Sequence, residues 1–195
     1  MLTLGTGGCG STWSSGYPAL RPELVRGDYR SALARLEPRP GSAYGAKDEL
    51  LYLMDRGMLL HLAGDWTASN AVLAQAQQTA EALWTESIGE HAAALLTTDN
   101  ALSYPGEDFE LAFLHVLAAL NYLGLQQHDE AQVETRALSV RLQQLSDRYQ
   151  QAPNRYRDDA FMRWLGGRLH EEAHRRQADA QALGDAWVDY RHALE

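Results

Sequence analysis

Apolar residues recur at spacings of three and four along most of the chain, a pattern that predicts amphipathic helices. One stripe within residues 47–63 consists of Leu50, Met54, Gly57, Met58 and Leu62. Later stretches repeat the pattern with Phe113, Val116, Leu117 and Leu120, then Leu138, Leu142, Leu145 and Tyr149, and finally Phe161, Trp164 and Leu165. Proline and glycine separate these stretches. The pattern predicts an all-α fold.

The predicted helices are paired through a short turn that occurs three times. Each copy ends three residues before a small residue: Gly27-Asp28-Tyr29 before Ala32, Gly64-Asp65-Trp66 before Ser69, and Gln126-Gln127-His128 before Ala131. Glycine can release a helix through a left-handed residue, and a small side chain lets two helices approach closely. The sequence therefore predicts helical-hairpin repeats over residues 17–195, with one partner helix from Asp65 and a separate helix over 83–96.

A non-helical segment interrupts the repeats at residues 97–110. It contains the turn-forming pairs Asp99-Asn100 and Pro105-Gly106, and two acidic residues then precede the next helix. Helix capping by these acidic residues is a sufficient structural explanation. The interruption is large for a plain repeat, however, and we predict partner-binding residues here: Asp99, Asn100, Tyr104, Glu107 and Asp108. Alanine substitutions are expected to weaken partner capture without loss of helicity.

Charge limits the class of partner. The 195-residue chain has a net charge of -9, which argues against nucleic acid because a phosphate backbone requires clustered Lys and Arg. Between Gly57 and Thr135 there are eleven Asp or Glu residues and no Lys or Arg. This stretch is either a solvated acidic face or a surface that attracts basic segments of a protein partner along the inner side of the array.

The amino-terminal 1–16 segment contains the only cysteine, Cys9. Gly7-Gly8-Cys9 resembles the end of a bacterial lipoprotein signal, in which the cysteine is lipidated, although Thr6 stands where leucine is usual and no basic, apolar leader precedes it. We predict that 1–16 is a signal remnant and tether, with a start codon assigned too late. The alternative is a cytosolic tail with a chance cysteine. No apolar run is long enough to span a bilayer, so the predicted membrane contact is by lipid only.

The stretch from Leu50 to Glu134 resembles a family of uncharacterised bacterial lipoproteins with tetratricopeptide-like helices. The segments that carry the resemblance are GDWTAS, LLTTDNALSYPGEDFELAFLHVLAALNYLGL and DEAQVE, and the terminal AWVDYRHALE looks like a later repeat. The resemblance implies a short right-handed solenoid on the periplasmic face of the outer membrane. Gln126-Gln127 departs from the usual Gly-Asp turn, and an insertion between Glu172 and Ala186 obscures the register of the last repeat.

A literal H-E-x-x-H pattern, His170 to His174, is the one motif that indicates an enzyme. In zinc hydrolases two histidines one helical turn apart bind the metal and the glutamate acts as base. The extended pattern fails, because Gln177 and Ala180 stand where Gly and His would follow. We therefore interpret the motif as a polar helix face, and we predict no catalytic residue, metal site or cofactor.

Together these observations predict a non-enzymatic envelope lipoprotein that acts as a protein-interaction scaffold. A soluble cytoplasmic adaptor and, less favoured, a zinc-dependent hydrolase are the alternatives.

Overall fold

The computed structural model describes residues 20–36, 44–90, 103–148 and 159–194, and within these ranges the chain forms eight helices and no strand. The predicted all-α class is confirmed. The helices, in chain order, are α1 with residues 20–26, α2 (Tyr29–Leu36), α3 (Glu49–Leu62), α4 (Trp66–Glu90), α5 (Asp108–Gly124), α6 (His128–Arg148), α7 (Ala160–Gln177) and α8 (Ala180–Leu194). A single 3-10 turn, Ala46–Asp48, precedes α3.

The three predicted turns share one backbone geometry. Gly27, Gly64 and Gln126 all have a positive φ, of 71°, 78° and 62°. In each turn the next residue donates its N–H to a carbonyl five residues back: Asp28 to Glu23, Asp65 to Leu60 and Gln127 to Tyr122. This is the Schellman arrangement, which satisfies carbonyls left open at a helix end. Gln126 adopts it without glycine, so the departure at Gln126-Gln127 leaves the turn intact.

Small residues allow the two helices of a pair to approach closely, as the repeat pattern predicts. Ala32, Ser69 and Ala131 are all buried after their turns. The hydroxyl of Ser69 on α4 donates to the Gly57 carbonyl on α3 at 2.8 Å. A Cβ added at Gly57 would lie only 2.7 Å from Leu73 Cδ2. Glycine at position 57 is therefore required by the contact between α3 and α4.

The helices pack chiefly on their neighbours in the chain. Three apolar clusters follow one another along the array. They include Leu36 and Leu59 for α1–α3, Leu73 and Leu114 for α3–α5, and Val116 and Leu138 for α5–α7. Phe113 packs against both of the last two clusters. Because each cluster lies between consecutive helices, α3 and α5 each contribute to two of them.

Several local predictions require correction. Helix α4 runs without a break to Glu90, whereas the sequence predicted a separate helix over 83–96. Leu62 and Leu120 of the predicted stripes are partly exposed, and Leu62 is the last residue of α3. Phe161 and Trp164 are about half exposed and contact each other at 6.1 Å between ring centroids. They therefore form a surface pair on α7 and not part of its buried stripe.

A fourth turn joins α7 to α8 through two residues, Ala178 and Asp179. Ala178 has a φ of 54° and donates to the His174 carbonyl, and Asp179 then caps α8 by accepting from the Gln181 N–H at 2.9 Å. The buried residues of α8 are spaced as in α4 and α6: Ser69, Leu73 and Ala76 in α4, Ala131, Thr135 and Leu138 in α6, and Ala182, Ala186 and Asp189 in α8. The last pair therefore places a carboxylate where the others place an alanine or a leucine.

In the described part of the chain, no helix combines the length and apolar character needed to span a membrane.

Candidate functional site

The structure describes three of the five predicted partner-binding residues, Tyr104, Glu107 and Asp108. Asp99, Asn100 and the predicted lipidation residue Cys9 lie outside the described residues, as does the whole 1–16 segment. The three described residues lie together where the segment 103–107 leads into α5. The predicted acidic start of this helix is confirmed, since Glu107 is the N-cap and Asp108 the first helical residue.

Tyr104 holds this segment against the start of α3. Its backbone N–H donates to the Lys47 carbonyl at 2.9 Å, and its hydroxyl donates to Glu110 Oε2 at 2.6 Å. The Glu107 N–H donates to the same Glu110 oxygen at 2.8 Å, as one half of a capping box. Burial and the Glu110 carboxylate both raise the pKa of Tyr104, so the phenol stays protonated as a donor. Tyr104 and Glu107 thus have structural partners within the chain.

A second carboxylate lies close to this group of residues. Asp55 on α3 accepts a short hydrogen bond from the Tyr44 hydroxyl. Burial raises the pKa of Asp55, and the negative charge of Glu110 raises it further, while the Tyr44 hydrogen bond lowers it. Tyr44 and Tyr104 thus each donate a hydrogen bond to one of two carboxylates, Asp55 of α3 and Glu110 of α5. This arrangement fixes the entry into α5.

Beyond this junction, α5 forms the floor of a cavity of about 260 Å³, which we call the α5 cavity. Its sides come from α4 and α6, and it is lined in part by Gln77, Glu81, Leu111, His115, Val140 and Gln144. Asp108, Leu111 and His115 follow the three-to-four spacing that places residues on one helix face. The acidic start of α5 therefore leads directly to this cavity.

A hydrogen-bonded group joins the three helices around the α5 cavity. His115 Nδ1 lies 2.7 Å from Glu134 Oε2, and Gln77 Nε2 donates to the same oxygen at 3.1 Å. Because an ionised carboxylate only accepts, the proton of the imidazole is on Nδ1. His115 and Glu134 are both largely buried. The contact fixes the spacing between α4, α5 and α6, and so holds the sides of the cavity in place.

The residues of the H-E-x-x-H pattern have different surroundings and different partners. His174 Nδ1 donates to the Asp179 carbonyl at 2.7 Å. Glu171 accepts from the Tyr190 hydroxyl at 2.8 Å, and Glu172 accepts from Arg175 at 2.7 Å. His170 is only 1% exposed, so the interpretation of the motif as a polar helix face is wrong for this residue. No group of three or more His, Cys, Asp or Glu suited to a metal ion occurs among the described residues.

Two buried polar groups were missed from the sequence. Asn121 is fully buried on α5, where its amide donates to Ser69 Oγ at 2.8 Å and to Asn70 Oδ1 at 2.9 Å, and its oxygen lies 2.6 Å from His61 Nδ1. An asparagine within the apolar run LAALNYL was a signal for such a network. The second group joins Arg163 to Asp189 at 3.0 Å, and both are buried. Its residues are far apart in sequence, and no local pattern marks them.

Searches for related proteins add no assignment, because no family model, curated protein or solved structure matches this chain.

Proposed function

We propose that this chain is a non-enzymatic, tetratricopeptide-like scaffold that holds a basic segment of a protein partner against α4, α5 and α6. The observation that carries the proposal is the turn repeated at Gly27, Gly64 and Gln126, with a buried small residue after each. This geometry supports a short right-handed solenoid, in which neighbouring pairs stack and leave grooves between them.

The α5 cavity is the proposed contact surface. From Gly57 to Thr135 the chain carries acidic residues and no Lys or Arg, so α4 and α5 present negative charge alone. Glu81 lines the cavity, and Asp108 lies at the start of the helix that forms its floor. Arg141 of α6 also lines the cavity and is the one basic side chain of its lining. A basic segment is favoured on the α4 and α5 side by this charge complementarity.

The contacts of Tyr104 and Glu107 determine which substitution tests partner binding by the loop without disturbing the fold. Replacing Tyr104 removes the hydrogen bond of its hydroxyl to Glu110, and replacing Glu107 changes the N-cap side chain of α5. Asp108 is the better choice, because it adds acidic charge next to the cavity while Glu107 serves as the cap. Asp108→Asn is therefore expected to weaken partner binding with unchanged helicity, whereas Tyr104→Phe is expected to lower stability as well.

Site-specific photocrosslinking in cells tests the contact surface. A photoreactive residue at Gln144, an exposed position lining the α5 cavity, is expected to crosslink a partner, and the yield should fall with added salt because the attraction is electrostatic. Gln78 is the matched control, because it is also an exposed glutamine but lies on α4 outside the cavity lining. Equal crosslinking at both positions, or none at Gln144, would contradict the proposal.

We also propose that a lipid on Cys9 tethers the scaffold to the periplasmic face of the outer membrane. Support comes from Gly7-Gly8-Cys9 and from the family resemblance. Membrane fractionation and intact mass of the protein from its native gene, beside Cys9→Ser, test this tether. An acyl mass and membrane recovery that disappear in Cys9→Ser are expected, while soluble unmodified protein in both would favour the cytoplasmic adaptor.

A further inference from the structure

A second and larger cavity, of about 420 Å³, lies between α6, α7 and α8, and we call it the α7 cavity. Arg163 and His170 of α7 contribute to its lining, together with Val140 of α6 and with Asp185, Val188 and Asp189 of α8. Its size falls within the range of about 300–1,000 Å³ that is usual for small-molecule sites. The α5 and α7 cavities share Val140, but their charged and polar residues differ.

Most of the charge around the α7 cavity is internally balanced. Arg163 pairs with Asp189 at 3.0 Å, and the Ser139 hydroxyl lies 3.2 Å from the other Asp189 oxygen. At the rim, Arg136 pairs with Asp179 at 3.6 Å. Each arginine thus already has a carboxylate. An anionic ligand would have to compete with these carboxylates for the positive charge, although Arg163 Nη2 itself makes no hydrogen bond to the described residues.

Two acceptors in the same lining remain without a partner among the described residues. His170 is 1% exposed, and its imidazole makes no hydrogen bond there; its nearest charged neighbour is Asp189 Oδ2, 3.7 Å from Nε2. A proton on Nε2 would face that carboxylate and leave Nδ1 as an acceptor. Asp185 makes no hydrogen bond or ion pair with the described residues. Burial lowers the pKa of His170 despite the nearby Asp189 and Asp185, so the imidazole is neutral at neutral pH.

We propose that the α7 cavity binds an alkylammonium group, with the cation between Asp185 and His170 and the alkyl chain against Val140 and Val188. Arg163 is paired with Asp189, and Arg136 is paired with Asp179 at the rim. Asp185 is then the charged residue of the lining that has no counter-ion among the described residues, which favours a cationic ligand. An ammonium group supplies the donors that a carboxylate and a neutral imidazole both require. The two valines are partly exposed at this surface and offer apolar contact for methylene groups.

The unusual register of the last helical pair supports the same assignment. Asp189 occupies the buried position that Ala76 and Leu138 occupy in α4 and α6. A buried ion pair is often no more stabilising than apolar packing at the same place. Stability therefore does not require charge at this position, whereas a polar binding site does.

Titration with n-butylammonium chloride at pH 8 tests the proposal. At that pH an alkyl ammonium with a pKa of about 10.4 stays protonated while His170 is neutral. We expect saturable movement of the His170 ring resonances in ¹⁵N NMR spectra, and none with n-butanol, which has the same chain without the charge. Loss of a charged hydrogen bond in Asp185→Asn is expected to weaken binding by about tenfold or more.

Asp28→Asn is the matched control, because it removes one carboxylate at the cap of α2, far along the chain from the cavity, and should bind as the wild type does. Unchanged affinity in Asp185→Asn, equal responses to butylammonium and butanol, or no saturable response would each overturn the proposal. A parallel titration compares an acetylated Ala-Ala-Lys-Ala-Ala peptide with its glutamine analogue. Tighter binding of the lysine peptide than of butylammonium would identify a partner's lysine as the source of the group, and the reverse would identify a free amine.

Discussion

The cores of the α3–α5 region and the α6–α8 region follow the same spacing and contain different chemistry. In α3–α5, apolar residues surround Leu73, and the buried polar network of Asn121, Ser69 and His61 contains no carboxylate and no guanidinium group. In α6–α8, a buried Arg163–Asp189 pair lies beside His170 and a cavity. The first core fixes the geometry of the array. The second core leaves His170 and Asp185, in the lining of the α7 cavity, without hydrogen-bond partners among the described residues, and a ligand there can supply the missing donors.

The difference is instructive because one hairpin arrangement accommodates both interiors. Close contacts at glycine occur in both regions: a Cβ at Gly57 would meet Leu73, and a Cβ at Gly167 would meet the Tyr190 ring, each at 2.7 Å. The two helices of a pair therefore approach closely at glycine whether the residues buried between them are apolar or charged. Function can be placed in one pair without altering its neighbours.

Removing the buried carboxylate should have the largest effect. In Asp189→Ala the Arg163 guanidinium keeps its burial and loses its counter-ion, so the free energy of unfolding is expected to fall by about 3–5 kcal/mol. Urea denaturation measures this value. The double variant Arg163→Met with Asp189→Leu should recover most of the loss, because it replaces both charges by apolar groups. Continued instability of the double variant would show that the region requires the charges for folding.

Removing the central amide of the Asn121 network should cost less. Asn121→Ala leaves His61 and Ser69 without a shared partner in a buried site, and we expect a loss of about 1–3 kcal/mol in the free energy of unfolding. Hydrogen exchange should show the loss in amides of α3, α4 and α5, with α7 and α8 exchanging as before. Equal acceleration in both regions would contradict the division into two cores.

Two glycine substitutions should have opposite signs. Gly57→Ala forces a Cβ against the fully buried Leu73, which has little room to move, and should destabilise the protein by about 1–2 kcal/mol. Gly184→Ala meets no atom within 4 Å and improves helix propensity, so it should stabilise α8 by about 0.5–1 kcal/mol. Thermal unfolding compares the two. A destabilised Gly184→Ala would show that the surface of α8 is covered in solution.

Acid should destabilise the α6–α8 region through His170. Burial lowers its folded pKa below the ordinary 6.5, opposed by Asp189, Asp185 and Asp179, while Arg136 adds to the lowering. The unfolded chain therefore binds the proton more readily, so this contribution to stability is complete above pH 6.5 and is lost as the pH falls through the folded pKa. Unfolding of the wild type and of His170→Gln, each followed at pH 7.5 and 5.5, measures the effect. An equal pH dependence in both would contradict the assignment to His170.

Several elements of the fold could be predicted from local patterns. Gly27 and Gly64 mark their turns because a positive φ favours glycine, and apolar periodicity locates Leu73, Leu138 and Leu142 in the core. The acidic start of α5 follows from capping preferences. Gln126 shows the limit of such rules, since a non-glycine residue adopts a φ of 62° in a turn closed by the same hydrogen bonds.

The residues of the candidate sites were harder to predict from the sequence. Tyr104 was predicted as a contact residue because it lies in an unusual loop, and only the structure shows that its hydroxyl is bonded to Glu110. His170 stands among Arg168, Glu171 and Glu172, so its neighbours in the chain indicate a polar face. Its burial depends on α6 and α8, whose contributing residues are distant in sequence.

The sequence by itself determined the helical class, the paired turns and the acidic character of the middle of the chain, because these depend on backbone preferences, periodicity and charge within a few residues. The tertiary structure decided which polar residues are buried together. Burial and pairing depend on which helices meet and at what distance, as with Arg163 and Asp189 in the last pair. The free energy of a charged or polar group is set by those neighbours in space, and position along the chain does not encode it.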